Sequence, residues 1–439
     1  MTECLGLVLA APATGSGKTT ITLGLLRAYR RRGLAAAPAK VGPDYIDPAF
    51  HAKASGRVCF NLDGWAMRPE QLAGLIGEAA NQADFILAEG VMGLFDGANV
   101  ADGPDGSTAD LAALTGWPVI LVLDVSRMGA SAGAVLKGFA SYRNDVRLAG
   151  VILNRVSGEG HLAMVERACR KACPDVAILG AVPRIEALSL PSRHLGLVQA
   201  AEHPDLESAI ERAADLMEKH INLDGLAALA QGTGLRGAFE APLPVLGQRI
   251  AVAKDEAFAF AYPAVLEGWR RLGAELTFFS PLAGEGPSNA ADAVYLPGGY
   301  PQLNGPVLSQ AQGFLTGLKS AVARDAWIYG ECGGFMTLGQ AIIDADGKSH
   351  AMAGLLPLVT SFQKRRLHLG YRKIQGLADT PFGGRGASFR GHEFHYATIQ
   401  SQEEGANAFD AWDARDGRLE SMGLIRNRVF GSFLHLIAN

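Results

Sequence analysis

Short apolar runs alternate with longer amphipathic stretches through the first half of the chain. The apolar runs predict six β-strands, at Leu5–Ala10, Ala35–Val41, Phe85–Glu89, Val119–Asp124, Leu148–Asn154 and Ala177–Val182. Helical segments are predicted between the strands, for example at Thr19–Arg31 and Ala130–Tyr142. Regular alternation of this kind predicts a mostly parallel sheet that is covered by helices on both faces.

A second α/β series begins after a bridge that is rich in glycine and proline. The amphipathic segment from about 204 to 229 is predicted to be helical, and turn-forming residues follow it. New strands are then predicted at 249–253, 276–279, 293–296 and 327–329. A chain of 439 residues is too long for a single core. The sequence therefore predicts an α/β protein with two domains, each a mostly parallel sheet flanked by helices, at residues 1–235 and 247–439 with a linker at 236–246.

Composition excludes several functional classes. The chain is 48% hydrophobic and 19% charged, which is typical of a globular protein, and its net charge of −4 argues against a nucleic-acid partner. Five cysteines, sparse and odd in number, argue against a secreted disulfide framework. No uncharged run approaches the ~20 residues that span a bilayer, and the apolar start lacks a cationic leader region. We expect a cytoplasmic protein that does not bind membranes.

The segment Trp327–Gly334 carries the most informative motif. It reads Trp-Ile-Tyr-Gly-Glu-Cys-Gly-Gly, in which a predicted buried strand ends in Gly-x-Cys-x-Gly. Glycines on both sides of one reactive side chain are the pattern of a nucleophile elbow. They favour a nucleophilic role for Cys332 over the buried structural role that is usual for a lone cysteine. Of the ten histidines, His435 is best placed to be its base, because it follows a predicted strand.

Two further segments of the second domain carry candidate site residues. Tyr295–Pro301 contains a glycine turn after a predicted strand, and the backbone N–H groups of Gly299 and Gly333 are predicted to form an oxyanion hole. His392 and His395 have the spacing of metal ligands. Because no third ligand signature lies nearby, we favour a hydrogen-bonding role for these histidines over a metal site.

A phosphate-binding loop is predicted directly after the first strand. The usual pattern is G-x-x-x-x-G-K-[ST], and here Pro12 stands at the first glycine position. Lys18 is predicted to reach the β- and γ-phosphates and Thr19 to bind Mg²⁺, at the start of a helix whose N–H groups face the nucleotide. The alternative is a glycine-rich turn without a ligand. The predicted nucleotide-binding residues of the loop are Gly15, Ser16, Gly17, Lys18, Thr19 and Thr20.

Carboxylates that could hold magnesium follow two of the predicted strands. Asp44 and Asp47 lie in Lys40–Pro48, while Glu89 and then Asp96 follow the next strand of the series. Open α/β sheets bind ligands at the carboxyl ends of their strands, and magnesium prefers oxygen ligands. Asp47 and Glu89 are therefore predicted to bind the metal together with Thr19. The alternative is that these aspartates only cap turns, as is common before proline and glycine.

Taken together, these motifs resemble the cobyrinic acid a,c-diamide synthases, including the hydrogenobyrinic acid a,c-diamide synthases of vitamin B12 biosynthesis. The resemblance covers essentially the whole chain. It implies a P-loop domain similar to dethiobiotin synthetase, in which an irregular loop is common, followed by a domain similar to class I glutamine amidotransferases. The segments that carry it are Ala11–Thr20, Lys40–Pro48, Asn61–Asp63, Glu89–Gly97, Pro191–Leu197, Tyr295–Pro301, Gly330–Gly334 and Gly391–Tyr396.

The resemblance implies ATP- and glutamine-dependent amidation of the a and c acetates of hydrogenobyrinic or cobyrinic acid. Cys332 would attack the side-chain amide of L-glutamine, form a glutamyl thioester and release ammonia, which would pass between the domains. ATP would convert each carboxylate into an acyl phosphate, with Lys18 and Mg²⁺ stabilising the transferred phosphoryl group. Lys40 is implied as a second cation at the phosphates. The residues implied to place the corrinoid substrate are Asp44, Tyr45 and Asp96.

One position departs from the pattern of class I enzymes. Many of them complete a triad with a glutamate two residues after the histidine, but Ile437 stands at that position here. The sequence therefore predicts a Cys332–His435 dyad, or a partner for His435 from elsewhere in the chain. The resemblance also suggests a homodimer, because domains of this kind often pair.

Three rival functions fit part of the pattern. A cobyric acid synthase would amidate other carboxylates of the same ring, although Lys40–Pro48 and Gly391–Tyr396 resemble the a,c enzyme better. A P-loop switch ATPase with an inactive amidotransferase domain would turn over ATP without glutaminase activity. A plain cysteine hydrolase would leave the nucleotide site unexplained.

Overall fold

The computed structural model describes residues 4–184, 192–193, 196–197, 199–203, 205–402 and 406–439. The chain divides into two compact units. The first runs to Ala98 and continues over Asp102–Phe239, and the second consists of Asn99–Ala101 and Glu240–Asn439. The division after Phe239 falls within the segment predicted as a linker, whose bounds stay a prediction.

The first unit is built on a large parallel sheet. The strands of this unit are β1 (Leu5–Ala10), β2 (Ala36–Val41), β3 (Phe60–Leu62), β4 (Phe85–Glu89), β5 (Val119–Asp124), β6 (Leu148–Val156), β7 (Ala177–Pro183), β8 (Ser192–Arg193), β9 (Gly196–Leu197) and β10 (Gln231–Gly232). Its helices are α1 (Lys18–Arg31), α2 (Asp47–Ser55), α3 (Pro69–Ala79), α4 (Thr108–Thr115), α5 (Ser131–Ser141), α6 (Glu159–Ala172), α7 (Leu206–His220) and α8 (Leu223–Ala227).

The strand order of this sheet is β3-β2-β4-β1-β5-β6-β7, and β10 pairs with β1. Every neighbouring pair along the order is parallel, whereas β10 is antiparallel to β1. The central strand β1 is apolar along its whole length, because helices cover both faces of a parallel sheet. Leu7, Val8 and Leu9 of β1 are accordingly fully buried. The predicted α/β fold class is confirmed.

Two of the departures from the predicted elements in this unit have a clear physical reason. Strand β3 was not predicted, because three residues are too few to give a periodic signal. The single helix expected around 204–229 is two helices, since Ile221 has an extended backbone and Asn222 begins a new helix. The Asn222 side chain accepts a hydrogen bond from the N–H of Gly225 at 2.9 Å, which is an N-cap.

The second unit combines one larger sheet with two smaller ones. Its strands are β11 (Arg249–Ala253), β12 (Glu275–Phe279), β13 (Ala293–Leu296), β14 (Trp327–Glu331), β15 (Ala341–Ile343), β16 (Ser349–Ala351), β17 (Leu358–Ser361), β18 (His368–Gly376), β19 (Ser388–His395), β20 (Thr398–Gln402), β21 (Phe409–Trp412), β22 (Leu424–Arg426), β23 (Val429–Ser432) and β24 (Leu434–Ala438). Its helices are α9 (Pro263–Arg271), α10 (Gly305–Leu308), α11 (Gln312–Ala323) and α12 (Gly333–Leu338).

The larger sheet has the order β12-β11-β13-β14-β23-β22 and is parallel except for β22. The two four-stranded sheets, β16-β15-β17-β20 and β21-β18-β19-β24, were not predicted. Strand β18 explains why, because most of its residues are partly exposed and give only a weak hydrophobic pattern. Within the described ranges, no helix combines the length and the apolar character needed to cross a membrane.

A layer of aromatic rings lies on one face of the larger sheet. Tyr295 of β13 is the register partner of Tyr329 of β14, and their rings stack at 5.7 Å. Tyr329 is in turn the partner of Phe430 of β23, with ring centroids 4.8 Å apart. Side chains two residues apart on a strand point to the same face. Glu331, the last residue of β14, therefore extends this aromatic face with a carboxylate.

Candidate active sites

The predicted phosphate loop connects the end of β1 to the start of α1. Gly15 and Gly17 have φ of +83° and +93°, in the left-handed region that favours glycine. A side chain on Gly17 would also overlap the amide of Asn154, which donates a hydrogen bond to the Ser16 carbonyl at 2.8 Å. The Ser16 hydroxyl donates to the Ala13 carbonyl at 2.8 Å. The loop thus has the strand–turn–helix arrangement that phosphate binding requires.

Lys18 and Thr20 both lie in the first turn of α1. The Lys18 ammonium donates to the Met92 carbonyl at 2.5 Å, which joins the phosphate loop to the loop after β4. Burial lowers the pKa of Lys18, and the charges of Glu89 and Asp96 oppose that shift. Thr20 is partly buried. Asp96 is exposed, and one of its carboxylate oxygens accepts a hydrogen bond from the N–H of Gly93 at 2.9 Å.

The predicted metal ligands converge at the carboxyl ends of β2 and β4. Lys40 and Glu89 are register partners on these strands. The Thr19 hydroxyl lies 2.8 Å from Glu89 Oε1 and 3.5 Å from Asp47 Oδ2. The Lys40 ammonium contacts the same two oxygens, at 2.9 Å and 2.6 Å. One hydroxyl and two carboxylate oxygens in this arrangement fit the ligand preference of Mg²⁺.

The charges of neighbouring side chains determine which residues of this cluster are ionised. Burial opposes the ionised form of Glu89, but the charges of Lys40 and His51 hold its pKa well below the usual range. Burial together with the charge of Asp44 raises the pKa of Asp47 to about 6. The pKa of Lys40 is well above its ordinary value, because the attraction of the carboxylates outweighs burial. Glu89 and Lys40 are therefore both ionised at neutral pH and form an ion pair.

His51 is a residue of this site that the sequence patterns did not indicate. Its Nε2 lies 2.7 Å from Glu89 Oε2, on the side of the carboxylate opposite to Thr19 and Lys40. Its Nδ1 lies 3.7 Å from the thiol of Cys59. The ring is completely buried in α2. No motif surrounds His51, so only the folded arrangement identifies it.

The segment around Asp44 forms a turn that leads into α2. One oxygen of Asp44 accepts hydrogen bonds from the N–H groups of Ile46 and Asp47, at 2.8 Å and 3.1 Å, as the turn-capping alternative expects. The other oxygen lies 3.7 Å from the Lys40 ammonium. Asn61 donates to the carbonyls of Gly42 and Asp44, which fastens the turn to β3. Tyr45 is buried, and its contact with substrate stays a prediction.

Cys332 lies on a strained turn between β14 and α12. Its φ of +46° and ψ of −104° are unfavourable for a residue with a side chain. Its N–H donates to the Ser432 carbonyl at 2.8 Å, and its carbonyl accepts from Met336 at 3.0 Å. A side chain on Gly334 would overlap the Leu296 carbonyl, so the turn packs too closely for any residue but glycine. These are the features of the predicted nucleophile elbow.

Gly298 lies directly beside both Cys332 and His435. A Cβ atom built on Gly298 would overlap His435 Cε1, lie 3.0 Å from its Nε2 and lie 3.4 Å from Cys332 Cβ. His435 Nε2 and Cys332 therefore border the same small space. Gly299 follows directly, and a Cβ atom on Gly333 would lie 2.8 Å from the Gly299 nitrogen. The two glycines predicted to form the oxyanion hole are thus adjacent.

Burial keeps the thiol and the imidazole neutral. It raises the pKa of Cys332 to about 12, although a hydrogen bond from the N–H of Gly333 works in the opposite direction. Burial and the charges of His392 and His395 lower the pKa of His435 to about 3. The pair is therefore not a preformed thiolate and imidazolium. Proton transfer must accompany attack by the sulfur.

Glu331, which directly precedes the nucleophile, is the second residue that the sequence patterns did not assign to a site. Its Oε2 lies 3.7 Å from His435 Nδ1. Its position beside Cys332 in the quoted motif was the available signal, but the sequence left open a dyad or a partner for His435 from elsewhere in the chain. The carboxylate reaches His435 because β24 returns beside the end of β14, where Leu436 donates its N–H to Glu331 Oε1 at 3.1 Å.

The histidines of Gly391–Tyr396 lie on β19 near the thiol site. His395 Nδ1 bonds the Ala397 carbonyl at 3.0 Å, and its Nε2 lies 2.9 Å from Glu393 Oε1. His368 completes a possible metal-binding group with these two residues. However, the rings of His368 and His395 stack in parallel, at 3° and 4.6 Å, and one ion cannot lie in both ring planes as imidazole ligation requires. The geometry agrees with the hydrogen-bonding interpretation for His395.

Comparison with known proteins assigns both units. Residues 7–198 match the family described as the CobQ/CobB/MinD/ParA nucleotide binding domain, and residues 249–439 match the CobB/CobQ-like glutamine amidotransferase domain. The hydrogenobyrinate a,c-diamide synthase of Brucella anthropi is 52% identical to this chain over 435 residues, 98% of each chain. That of Brucella abortus is 53% identical over 435 residues, again 98% of each. That of Rhodobacter capsulatus is 51% identical over 434 residues, 99% of this chain and 98% of its own.

The chain belongs to the hydrogenobyrinate a,c-diamide synthase family. The resemblance drawn from its motifs is confirmed. The nucleotide-binding match contains the phosphate loop and the Lys40–Asp47–Glu89 cluster, and the amidotransferase match contains Cys332 and His435. Of the motif Pro191–Leu197, the residues Pro191, His194 and Leu195 lie outside the described residues.

Proposed function

We propose that this protein amidates the a and c acetate carboxylates of hydrogenobyrinic acid, using ATP and glutamine, in cobalamin biosynthesis. The observation that carries the proposal is the strained Cys332 turn beside His435, in a chain whose other unit gathers Lys40, Asp47 and Glu89 next to a phosphate loop. The names of the relatives favour the cobalt-free substrate and the a,c positions over other corrin carboxylates.

The second unit is proposed to release ammonia from glutamine. His435 Nε2 takes the proton of the Cys332 thiol while the sulfur attacks the side-chain carbonyl carbon. The N–H groups of Gly299 and Gly333 are the proposed donors to the resulting oxyanion. As the C–N bond breaks, His435 returns the proton to the leaving nitrogen, which departs as ammonia. Water then hydrolyses the glutamyl thioester to glutamate.

The first unit is proposed to activate the carboxylate. An oxygen of the substrate acetate attacks the γ-phosphorus of ATP, ADP leaves, and an acyl phosphate forms. Ammonia then attacks the acyl carbon and inorganic phosphate leaves. Lys18 and Lys40 are the proposed cations at the phosphates, where they stabilise charge on the transferred group. Asp44, Tyr45 and Asp96 are proposed to contact the corrinoid.

ATP use is supported by the nucleotide-binding match, and Mg²⁺ by the converging oxygens. Thr19, Asp47 and Glu89 are the residues that would hold the ion. Bound Mg²⁺ would neutralise charge on the phosphates of ATP. His51 would hold Glu89 in position through the 2.7 Å contact on its other oxygen. A homodimer and a cytoplasmic location stay predictions, and light scattering tests the first of them.

Product analysis tests the proposal. The protein is incubated with ATP, Mg²⁺, glutamine and either hydrogenobyrinic or cobyrinic acid, and the products are identified by mass spectrometry. We expect a diamide, with the cobalt-free acid as the better substrate. An unchanged mass with both acids would overturn the proposal. ATP turnover without a tetrapyrrole and without glutamine hydrolysis would instead support the switch-ATPase alternative.

A further inference from the structure

The carboxylate of Glu331 is held between the buried aromatic layer and His435. Oε2 accepts a hydrogen bond from the Tyr295 hydroxyl at 2.7 Å and lies 3.7 Å from His435 Nδ1. Oε1 accepts from the Tyr329 hydroxyl at 2.8 Å and from the N–H of Leu436 at 3.1 Å. Because Leu436 directly follows His435, the same carboxylate contacts the backbone next to the histidine and faces its Nδ1. Both side chains are almost completely buried.

We propose that Glu331 is the third member of a Cys332–His435–Glu331 triad and positions His435 by accepting its Nδ1 proton. This inference rests on the proposed glutaminase reaction. A glutamate after the histidine is replaced here by one from directly before the nucleophile. The 3.7 Å separation exceeds a hydrogen bond, and such catalytic contacts often shorten when substrate binds.

This contact matters for the reaction because an acceptor at Nδ1 determines the tautomer of His435. An imidazole that carries its proton on Nδ1 has its lone pair on Nε2, and Nε2 is the nitrogen that borders Cys332 at Gly298. That lone pair takes the thiol proton. The opposite tautomer carries a proton on Nε2 and cannot act as the base. An acceptor at Nδ1 therefore selects the reactive form.

The contact between Glu331 and His435 would also stabilise the positive charge that forms on His435 during the reaction. When the thiol proton moves to His435, a buried imidazolium results, and an unpaired buried cation is unfavourable. Of the other ionisable groups near His435, His392 and His395 of β19 can add only positive charge, and Tyr262 packs edge-on against the His435 ring. Glu393 is also in this region but is paired with His395. Glu331 is the carboxylate in position to compensate the imidazolium.

The protonation state of Glu331 depends on groups that lie on three strands. Burial raises its pKa to about 7, while hydrogen bonds from Tyr295, Tyr329 and Leu436 act in the opposite direction. Cys332 and His435 are the other ionisable groups that face it, and their pKa values lie far from neutrality, at about 12 and about 3. The part of the pH dependence of glutamine use that Glu331→Gln abolishes would therefore report on Glu331, as distinct from the histidines His368, His392 and His395 of β18 and β19.

A purely structural role for Glu331 makes a different prediction. In that case the carboxylate would only fasten β24 through the N–H of Leu436. Glu331→Gln keeps an oxygen that can accept this hydrogen bond, so a structural role predicts a nearly unchanged enzyme. The triad predicts a large loss, because the amide N–H would face His435 Nδ1 and favour the unreactive tautomer.

The test compares the full-length Glu331→Gln protein with wild type. For the glutaminase reaction, we expect kcat to fall by about 10²- to 10⁴-fold, as for amide substitution in a serine protease triad, with little change in KM for glutamine. Amidation with free ammonium should be unchanged, which establishes that the first unit is intact, and the unchanged KM for glutamine establishes that the second unit still binds glutamine. In wild type, kcat/KM for glutamine should rise with pH through about 7 as Glu331 ionises, and the variant should lack this rise.

Two further measurements test the role of Glu331. In ¹⁵N NMR, His435 should carry its proton on Nδ1 in wild type and on Nε2 in Glu331→Gln. Tyr329→Phe removes one donor to the carboxylate and should move the neutral pH dependence upward by on the order of one unit while keeping activity. Wild-type kcat and tautomer in Glu331→Gln would overturn the triad. Glutamine use that survives in Cys332→Ala would overturn the proposed glutaminase site itself.

Discussion

The two candidate active sites differ in how they hold charge. Near the phosphate loop, Lys40 contacts Asp47 and Glu89 directly, and the ion pair between Lys40 and Glu89 persists across the neutral range. At the thiol site, burial keeps Cys332 and His435 neutral. Phosphoryl transfer brings several negative charges together and needs fixed counter-charges. Attack by a thiol needs charge only briefly, so a neutral pair beside one carboxylate suffices.

The strongest test of this contrast removes the thiol. Cys332→Ala should reduce glutamine-dependent amidation by about 10⁴-fold or more, because no other group in the site can form the acyl intermediate. Amidation with ammonium should remain at the wild-type rate, since the fixed charges of the first unit are intact. Both rates are measured by product mass. A parallel loss of both activities would mean that Cys332 is structural.

Removal of one fixed charge should have the complementary effect. Glu89→Gln removes one of the two buried carboxylates that contact the ammonium of Lys40, and with it a proposed Mg²⁺ ligand. We expect about a 10³-fold loss of amidation with either nitrogen source. Glutamine hydrolysis measured without corrinoid should respond far less. Selective loss of glutamine use alone would contradict the division of roles.

A change at Gly298 should damage only the thiol site. The new Cβ atom of Gly298→Ala would overlap the His435 ring, and misplacement of a catalytic group by about 1 Å can cost about 10²-fold in rate. The matched control is Gly138→Ala on α5, where an added Cβ meets no atom within 4 Å. Amidation with ammonium should be preserved in both variants. Equal glutamine kinetics in the two variants would be evidence that His435 is not at the thiol.

Much of the charged site could be predicted from the sequence, because the carboxyl ends of neighbouring parallel strands must meet. Lys40 and Glu89 end two such strands and were predicted to share a site. His51 could not be found in this way, since it lies within a helix and belongs to no motif. Its contact with Glu89 depends on how α2 packs against the sheet.

The thiol site was less predictable for a topological reason. The Gly-x-Cys-x-Gly motif indicated the elbow, and His435 was chosen as its base. The sequence predicted either a Cys332–His435 dyad or a partner for His435 from elsewhere in the chain, and no pattern identified that partner. Glu331 approaches His435 because β24, although buried, belongs to a separate sheet that the hydrophobic pattern did not predict. The aromatic face that holds the carboxylate likewise depends on the register of three strands.

A smaller effect is expected when His51, which contacts Glu89, is replaced. His51→Gln should weaken the apparent affinity for Mg²⁺ by about 10- to 100-fold, as is typical when a partner that orients a metal ligand is lost. A suitable control is His350→Gln, which changes another buried histidine with a carboxylate partner, Asp344. The Mg²⁺ dependence of ammonium-driven amidation measures the effect. Identical Mg²⁺ dependence in both variants would contradict a positioning role.

The last prediction concerns stability in acid. Burial lowers the pKa of His435 to about 3 in the folded chain, against 6.5 when it is exposed. Between these values the unfolded chain binds a proton that the folded chain does not, so the free energy of unfolding falls as pH decreases. His435 should contribute up to about 1.4 kcal/mol per pH unit to this slope. Urea unfolding of His435→Gln should show a shallower slope, and an unchanged slope would contradict the neutral, buried state.

The most direct test of the account follows nitrogen from one site to the other. Wild type and Cys332→Ala are supplied with hydrogenobyrinic acid, ATP, Mg²⁺, glutamine labelled with ¹⁵N at its side-chain amide, and unlabelled ammonium. The account predicts that wild type forms a diamide labelled from glutamine, whereas Cys332→Ala forms the same diamide from ammonium without label. Labelled diamide from Cys332→Ala, or no diamide from wild type, would contradict it.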